Sequence, residues 1–257
     1  MQKRRARWLI ILLTLITLLL CLTTGAVCEG TELPFVGNIQ EALSFLDFPE
    51  ENGKTNVTRG RIRYIAQKKD APYFLDEYWI GGERGGIMDL TIDRIDGRKY
   101  PSFCDTMCTR AVYSMVLSYL GYDVTPGDMS AMLGKRDINV PYDEVTDLMD
   151  GLYRVTAGEL SSFEKKYEKY LSDPNYSPIM LQIEKTNGRP HSLLIIGKDK
   201  EGLYLVVDPA DRYVNNELAT IQSIRLSKRT IVYCSTSGTY NGAKVMQCYQ
   251  WYRNDGE

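Results

Sequence analysis

The hydrophobic and polar positions along the chain divide it into four stretches. An apolar run at residues 8–22 comes first, and a polar stretch broken by proline and glycine follows it to about residue 98. From Asp105 apolar residues recur at the three-and-four spacing of an amphipathic helix, and after residue 178 they alternate as in half-buried strands. The pattern predicts an α+β chain in which helices precede an antiparallel β-sheet.

The first 28 residues are predicted to be a signal peptide or a membrane anchor. Basic residues stand at positions 3, 4, 5 and 7, ahead of the apolar run, and such an arrangement places the remainder of the chain outside the cytoplasm. A run of about fifteen residues suits a cleaved signal, whereas its extension through Val27 approaches the roughly twenty residues that span a bilayer. Cleavage and anchoring both stay open. The protein is expected to be extracellular or membrane-anchored, with the membrane touched only by this segment.

Residues 29–98 are predicted to be a pro-region-like or spacer segment. Its aromatic residues argue against full disorder, because such side chains need something to pack against; they include Tyr64, Tyr73, Phe74, Tyr78 and Trp79. We expect this segment to dock on the main domain, residues 99–236. Residues 237–257 are predicted to form a C-terminal hairpin or tail.

The clearest helix pattern carries Cys108. Val112, Met115 and Val116 recur on one face of this helix, and Gly121 supplies its stop. Cys108 precedes Val112 by one turn, so it shares that face at the start of the helix, where unpaired backbone N–H groups and the helix dipole favour a negative sulfur. Three further helices are predicted, a short one at residues 125–133 and two more at residues 143–152 and 159–171.

Five strands are predicted after the helices, at residues 179–183, 192–197, 203–207, 221–226 and 230–234. The Asp-Lys-Glu-Gly tetrapeptide at 199–202 is typical of a hairpin turn between the second strand and the third. His191 then begins one strand and Asp208 ends the next, and such ends of an antiparallel hairpin lie about 5 Å apart. This separation suits a carboxylate that orients an imidazole.

His191 is the single histidine of the chain, so it is the one imidazole available to activate a cysteine. A thiol needs a neighbouring base to form the thiolate, and the base needs a third group to orient it. We therefore predict a catalytic constellation of Cys108, His191 and Asp208. The alternative for each residue is a structural role: a buried inert thiol, a strand-end histidine and a turn-forming aspartate.

Charge and cysteine content narrow the class of partner. The chain has 31 basic and 33 acidic residues, and because four of the basic residues precede the apolar run, the remainder is acidic and unlike a nucleic-acid binder. An exported chain can form disulfides.

A Cys234–Cys248 disulfide is predicted. Cys104 is either a disulfide partner that would inactivate Cys108 or the nucleophile itself. With one histidine and no Cys-x-x-Cys pair, no metal or organic cofactor is expected.

Two segments resemble the bacteriocin-leader (double-glycine) peptidase-like domains. The segment Cys108-Thr-Arg-Ala-Val-Tyr-Ser-Met-Val-Leu-Ser-Tyr-Leu-Gly121 resembles their opening helix, Cys-Gly-Pro-Ala-Ser-Leu-Ala-Met-Val-Leu-x-Tyr-x-Gly. His191 before an apolar strand, followed by Val-Asp-Pro-Ala ending at Ala210, resembles their second half. The resemblance covers residues 101–210 and implies a papain-like fold. It implies Cys108 as nucleophile, His191 as general base and acid, and Asp208 as orienting group.

The sequence departs from this family at the oxyanion site. The family usually places a glutamine about six residues before the cysteine, where it donates to the oxyanion. Ser102 occupies that position here, and no glutamine occurs between Gln67 and Gln182. Ser102 and Thr106 are the candidate replacements, beside the backbone N–H of Cys108.

The function implied by the resemblance is that of an exported, papain-like cysteine peptidase acting on peptide or protein amides. A transamidase or a cell-wall amidase that uses the same residues is a close variant. The missing glutamine favours an alternative, a catalytically inactive papain-like domain that binds peptide or a cell-surface partner. A third possibility is a structural surface protein whose cysteines are all disulfide-bonded.

Overall fold

The computed structural model describes the part of the chain that follows the apolar run. The described residues are 38–48, 56–65, 77–80, 83–86, 91–93, 99–101, 107–132, 141–159, 161–210, 221–235 and 240–254. All of them belong to the unit Glu32–Glu257. The predicted signal peptide or anchor at residues 1–28 lies outside the described residues. Within those residues no helix combines the length and the apolar character that crossing a membrane requires.

Helices are few and mostly short in the described residues. The longest, α2, begins at Cys108 and ends at Leu120, and its C-cap Gly121 has a left-handed φ of 96° that favours glycine. The five α-helices are α1 (Ile39–Leu43), α2 (Cys108–Leu120), α3 (Pro126–Met132), α4 (Tyr142–Asp147) and α5 (Phe163–Lys166). A 3₁₀ turn, Glu168–Tyr170, follows α5.

Strands make up most of the ordered secondary structure. They are β1 (Leu46–Asp47), β2 (Ile62–Arg63), β3 (Glu77–Ile80), β4 (Glu83–Gly86), β5 (Thr91–Asp93), β6 (Lys99–Pro101), β7 (Tyr153–Gly158), β8 (Ile179–Glu184), β9 (Pro190–Lys198), β10 (Tyr204–Val207), β11 (Ile221–Ser227), β12 (Thr230–Cys234) and β13 (Lys244–Arg253). The first six form three separate two-stranded pairs, β1–β2, β3–β4 and β5–β6.

Strands β8 to β13 form a closed antiparallel barrel. Hydrogen bonding joins them in the order β12-β11-β10-β9-β8-β13, and the pairing of Thr230 with Lys244 joins β12 back to β13. Strand β7 lies outside this closure and pairs antiparallel with β13 from Cys248↔Gly158 to Arg253↔Tyr153. Closure leaves the six barrel strands without an open edge, as expected of an antiparallel barrel.

Alternating side chains of the barrel strands build two separate cores. Leu193 and Ile195 of β9 face the barrel interior, where Phe163, Tyr167 and Leu171 close one mouth. Leu194 and Ile196 face outward and pack with the buried face of α2. Since successive strand residues point to opposite faces, His191 shares the inward face with Leu193 and lies at the other mouth.

The predicted papain-like α+β fold is wrong. The closed six-stranded barrel, with short helices around it, is a mostly β architecture. Five of the six barrel strands, β8 to β12, were predicted, because their positions depend on local alternation. Closure of the barrel was not predictable. It depends on the pairing of β12 with β13, and the hydrophobic periodicity of the sequence does not indicate which strands pair.

Two of the predicted helices are largely replaced by other structure. Residues 143–152 form the six-residue α4 and a turn, and β7 follows directly. Residues 159–171 form only the four-residue α5 and the 3₁₀ turn. Residues 244–253, assigned by sequence to a C-terminal hairpin or tail, form a strand of the barrel.

Residues 56–65, in the segment before the main domain, pack on α2. The backbone N–H of Gly60 donates to the carbonyl of Tyr119 at 2.8 Å. The N–H of Arg63 donates to the hydroxyl of Ser118 at 2.9 Å. Tyr64 is fully buried, and its hydroxyl donates to the backbone carbonyl of Asp208 at 2.9 Å. Residues 56–65 therefore reach the neighbourhood of the predicted site.

Candidate active site

The fold brings Cys108, His191 and Asp208 together at the mouth of the barrel opposite α5. Cys108 is the first residue of α2, His191 is the second residue of β9, and Asp208 directly follows β10. Strands β9 and β10 pair antiparallel, with Val207 opposite Leu194. The hairpin expected from the sequence is thus observed, and it places the histidine and the aspartate on adjacent strands.

His191 and Asp208 form a buried hydrogen-bonded pair. The Nε2 atom of His191 lies 2.8 Å from Oδ1 of Asp208, and both residues are at most 5 % exposed. The ring of Tyr240 stacks on the imidazole with centroids 5.7 Å apart and an interplanar angle of 16°. These contacts fix the ring plane, so the second ring nitrogen, Nδ1, has a defined direction.

Asp208 accepts hydrogen bonds from several donors besides His191. The backbone N–H of Ala210 donates to Oδ1 at 2.8 Å, the Nε2 of Gln222 donates to Oδ2 at 3.1 Å, and the Tyr240 hydroxyl also donates to Oδ2. Burial raises the pKa of the Asp208 carboxyl, but the charge and hydrogen bond of His191, with the bonds from Tyr240 and Ala210, lower that pKa below its ordinary value. Asp208 is therefore an anion at neutral pH.

Cys108 lies beside His191, and the imidazole lowers the pKa of its thiol. Because Nε2 of His191 is engaged by Asp208, Nδ1 is the ring nitrogen left to face the thiol. The backbone of Ser192 and the side chain of Thr109 also lower the pKa of Cys108. The hydroxyls of Thr109 and Ser192 lie 2.9 Å apart and hydrogen-bond to each other. The sulfur therefore lies among groups that stabilise a negative charge.

The pKa shifts of the two groups favour a thiolate–imidazolium pair. Burial raises the pKa of the Cys108 thiol, but its hydrogen bond to His191 and the His191 charge outweigh burial and lower that pKa below its ordinary value. Burial lowers the pKa of His191, whereas the charge and hydrogen bond of Asp208, followed by those of Cys108, raise that pKa to about 9. Both shifts are in the direction that favours transfer of the proton from sulfur to imidazole.

The start of α2 adds backbone donors to the site. The first intrahelical hydrogen bond runs from the N–H of Ala111 to the carbonyl of Met107, so the N–H groups of the preceding helical residues have no intrahelical acceptor. Met107 is the N-cap residue, and its side chain makes no capping hydrogen bond. These N–H groups point in the direction in which a helix dipole stabilises an anion.

Three residues that sequence reasoning missed support this arrangement. They are Gln222 on β11, Tyr240 before β13, and Tyr64 in the amino-terminal segment. Gln222 carried a signal, since it is a polar residue on the same face of β11 as the apolar residues Ile224 and Leu226. Tyr240 lies in a segment that was predicted only as a C-terminal hairpin or tail, and Tyr64 was recognised only as an aromatic that needs a packing partner.

The predicted oxyanion donors cannot be placed. Ser102 and Thr106 lie outside the described residues, and so does Cys104. Cys108 itself is a free thiol.

The predicted Cys234–Cys248 disulfide is wrong, because both thiols are free and buried. β12 and β13 pair antiparallel at Thr230↔Lys244. Each cysteine comes after the paired residue of its own strand, so the two lie in opposite directions from that point. Instead, Cys234 donates from its sulfur to Oε1 of Gln222 at 3.0 Å, and burial raises the pKa of Cys248 well above its ordinary value.

Comparison with known proteins adds no family assignment. No protein-family model matches the chain, and no curated protein matches it. Among the described residues, no group of three or more histidine, cysteine, aspartate or glutamate side chains is arranged to hold a metal ion.

Proposed function

We propose that the protein is a cysteine-type hydrolase that cleaves amide bonds in peptides or proteins. The observation that carries this proposal is the placement of the Cys108 thiol beside the His191 imidazole, whose Nε2 lies 2.8 Å from Oδ1 of the Asp208 carboxylate. A lowered thiol pKa beside a raised imidazole pKa is the charge state that a nucleophilic cysteine needs.

The first chemical step forms an acyl-enzyme. The Cys108 thiolate attacks the carbonyl carbon of the amide, and the carbonyl electron pair moves onto oxygen. His191 then gives its proton to the amide nitrogen, the C–N bond breaks, and the amine leaves. The products of this step are a thioester on Cys108 and a neutral imidazole that stays hydrogen-bonded to Asp208.

The second step returns the enzyme to its starting state. His191 takes a proton from a water molecule, which attacks the thioester carbonyl. The second tetrahedral intermediate collapses with release of the carboxylic acid and of the Cys108 thiolate, and His191 is again protonated. Asp208 stays ionised throughout and stabilises the imidazolium.

Backbone and side-chain donors near the sulfur supply the oxyanion stabilisation. The N–H of Cys108 has no acceptor within α2, and the Thr109 hydroxyl lies against the sulfur. Loss of one preorganised oxyanion donor typically costs roughly a hundred- to a thousandfold in rate. We assign this role to the Cys108 N–H, with Thr109 as the adjacent polar group.

The proposed location follows from the sequence. The apolar run and the basic residues before it favour export, so we propose that the enzyme acts outside the cytoplasm, either secreted or anchored. The resemblance to bacteriocin-leader peptidase-like domains supports the roles of the three residues through their order and sequence context. It no longer supports a fold.

A second candidate is a catalytically inactive domain that binds peptide or a cell-surface partner. The observation that favours it is the burial of the reacting atoms, since Cys108 is 9 % and His191 is 5 % exposed. A nucleophile must be reached by the carbonyl carbon that it attacks. Measuring hydrolysis directly separates the two functions.

The proposed hydrolysis is expected to show a bell-shaped pH dependence. The full-length chain, purified in a mild detergent, is incubated with a complex peptide mixture, and products are identified by mass spectrometry. For a cleaved peptide, kcat/KM should fall at acid pH as the thiolate is protonated. It should also fall above about pH 9, where His191 loses the proton that the leaving amine requires.

Pretreatment with iodoacetamide is the control for this profile, and it should remove the cleavage. A rate that rises steadily through pH 9, or the absence of any new peptide terminus, contradicts the proposed hydrolase and favours the binding domain.

A further inference from the structure

A second surface feature lies at the closed end of the barrel, away from Cys108. It is a groove of about 580 Å³ between β7, the α5 segment and the start of β8, lined chiefly by Lys165, Lys166, Lys169, Tyr170, Tyr176 and Tyr252. We call it the lysine–tyrosine groove. Its three lysines come from residues 159–171, which the sequence predicted only as a helix.

Three stacked tyrosine side chains form one wall of the groove. Tyr170 and Tyr176 stack with centroids 4.0 Å apart and planes 5° apart, and Tyr252 continues the stack at 5.6 Å from Tyr176. The ammonium of Lys169 lies 4.4 Å from the centroid of the Tyr170 ring. Tyr176 also forms an isolated bridge with Tyr252 on β13. These contacts hold the positive charge and the phenol groups in fixed positions.

The groove has an excess of positive charge. Its one lining carboxylate, Glu159, forms an ion pair with Arg229 at 3.2 Å. The nearby carboxylate of Glu168 is paired with Lys198. Within the described part of the chain, Lys165, Lys166 and Lys169 form no ion pair. An acidic ligand would therefore meet three ammonium groups whose charge is not neutralised by the described carboxylates.

The groove borders a strand edge that accepts a further strand. Among the described strands, β7 pairs only with β13. The carbonyl of Ala157 accepts a hydrogen bond from Nζ of Lys166 at 3.1 Å, so it points away from β13 and toward the groove. Because outward and inward backbone groups alternate along an antiparallel strand, those of Val155 point the same way. Such an edge pairs with an extended peptide backbone.

We propose that the lysine–tyrosine groove binds an acidic, extended peptide segment that adds to the edge of β7 and places its carboxylates against Lys165, Lys166 and Lys169. Alternate side chains of such a segment share one face, so a pattern of alternating acidic residues presents all its carboxylates to the lysines. We assign this segment to a substrate polypeptide that is held at a distance from Cys108, and this assignment rests on the proposed function. The binding of an acidic peptide in the groove does not depend on the proposed function.

A peptide fits these observations better than a glycan or a nucleic acid. Carboxylates, sulfates and phosphates are all attracted by the three lysines, but only a peptide backbone satisfies the outward N–H and C=O groups of β7. Backbone pairing and charge pairing are separable by experiment.

Binding is measured by fluorescence anisotropy with a labelled ten-residue peptide of alternating glutamate and threonine. The protein is the full-length chain carrying Cys108→Ala, so cleavage plays no part in the result. We expect the affinity to fall at least about tenfold in Lys165→Glu/Lys169→Glu and to fall as ionic strength rises. The matched control Lys200→Glu/Lys228→Glu reverses two exposed charges outside the groove and should leave the affinity unchanged. The same peptide N-methylated at alternate residues should bind at least about tenfold more weakly.

Equal affinity for the two double variants overturns the proposal, as does equal affinity for the N-methylated peptide. Tight binding of polyphosphate or of a sulfated glycan, with none of the acidic peptide, shows a general anion site and also overturns it. Since the Cys108→Ala protein is used throughout, a failure here leaves the proposed hydrolysis untouched. Failure of hydrolysis likewise leaves this binding result standing.

Discussion

Replacement of Cys108 by alanine is expected to abolish peptide hydrolysis, with kcat lowered by about 10⁴-fold or more. The thiolate is the atom that forms the covalent bond to substrate, and His191 alone has no nucleophile to activate. Because Cys108 is the first residue of a 13-residue helix and alanine is the best helix former, the variant should fold. The measurement is kcat for a peptide cleaved by the unmodified protein.

Cys248→Ala is the matched control. Cys248 is also a free, fully buried thiol, but burial raises its pKa well above the ordinary value, so it is inert. It should keep kcat within a fewfold of the unmodified protein. If Cys248→Ala lost activity while Cys108→Ala retained it, Cys108 would not be the nucleophile, and the proposed mechanism would be contradicted.

Replacement of Asp208 by asparagine is expected to lower kcat/KM by roughly a hundredfold or more. The variant keeps the shape of the side chain but removes the charge that contributes most to raising the pKa of His191. The pKa of His191 should therefore fall from about 9, and the alkaline limb of the rate profile should move to lower pH. The measurement is kcat/KM as a function of pH.

Asp199→Asn provides the comparison for this variant. Asp199 lies in the turn at the other end of the same hairpin, where its Oδ1 accepts from the N–H groups of Glu201 and Leu203. It should leave both limbs of the profile in place. An unchanged alkaline limb in Asp208→Asn would mean that Asp208 does not set the protonation of His191.

The residues of the site were readable from sequence because their signals are local. A lone histidine at a strand start, an aspartate at the end of the next strand and a turn between them determine a hairpin register. Cys108 was placed by the periodicity of its own helix. The structure brings these three together, because α2 packs on β9 and so places Cys108 beside His191.

The barrel and the supporting residues were not readable in the same way. Closure depends on Thr230 meeting Lys244, and the extra strand β7 depends on pairing with β13. Gln222 and Tyr240 act on Asp208 only after the barrel brings β11 and the turn before β13 to the same mouth. Such contacts join residues distant in the chain, and hydrophobic periodicity does not encode them.

The charge state of His191 is the central claim, and one NMR titration tests it directly. Because His191 is the single histidine, ¹⁵N-histidine labelling of the full-length chain gives resonances that need no assignment. We expect His191 to be an imidazolium with both ring nitrogens protonated at neutral pH and to titrate with a pKa of about 9. The pKa of His191 should be lower in Cys108→Ala. A neutral imidazole at pH 7, titrating near the ordinary value of about 6.5 in both proteins, would contradict the thiolate–imidazolium pair.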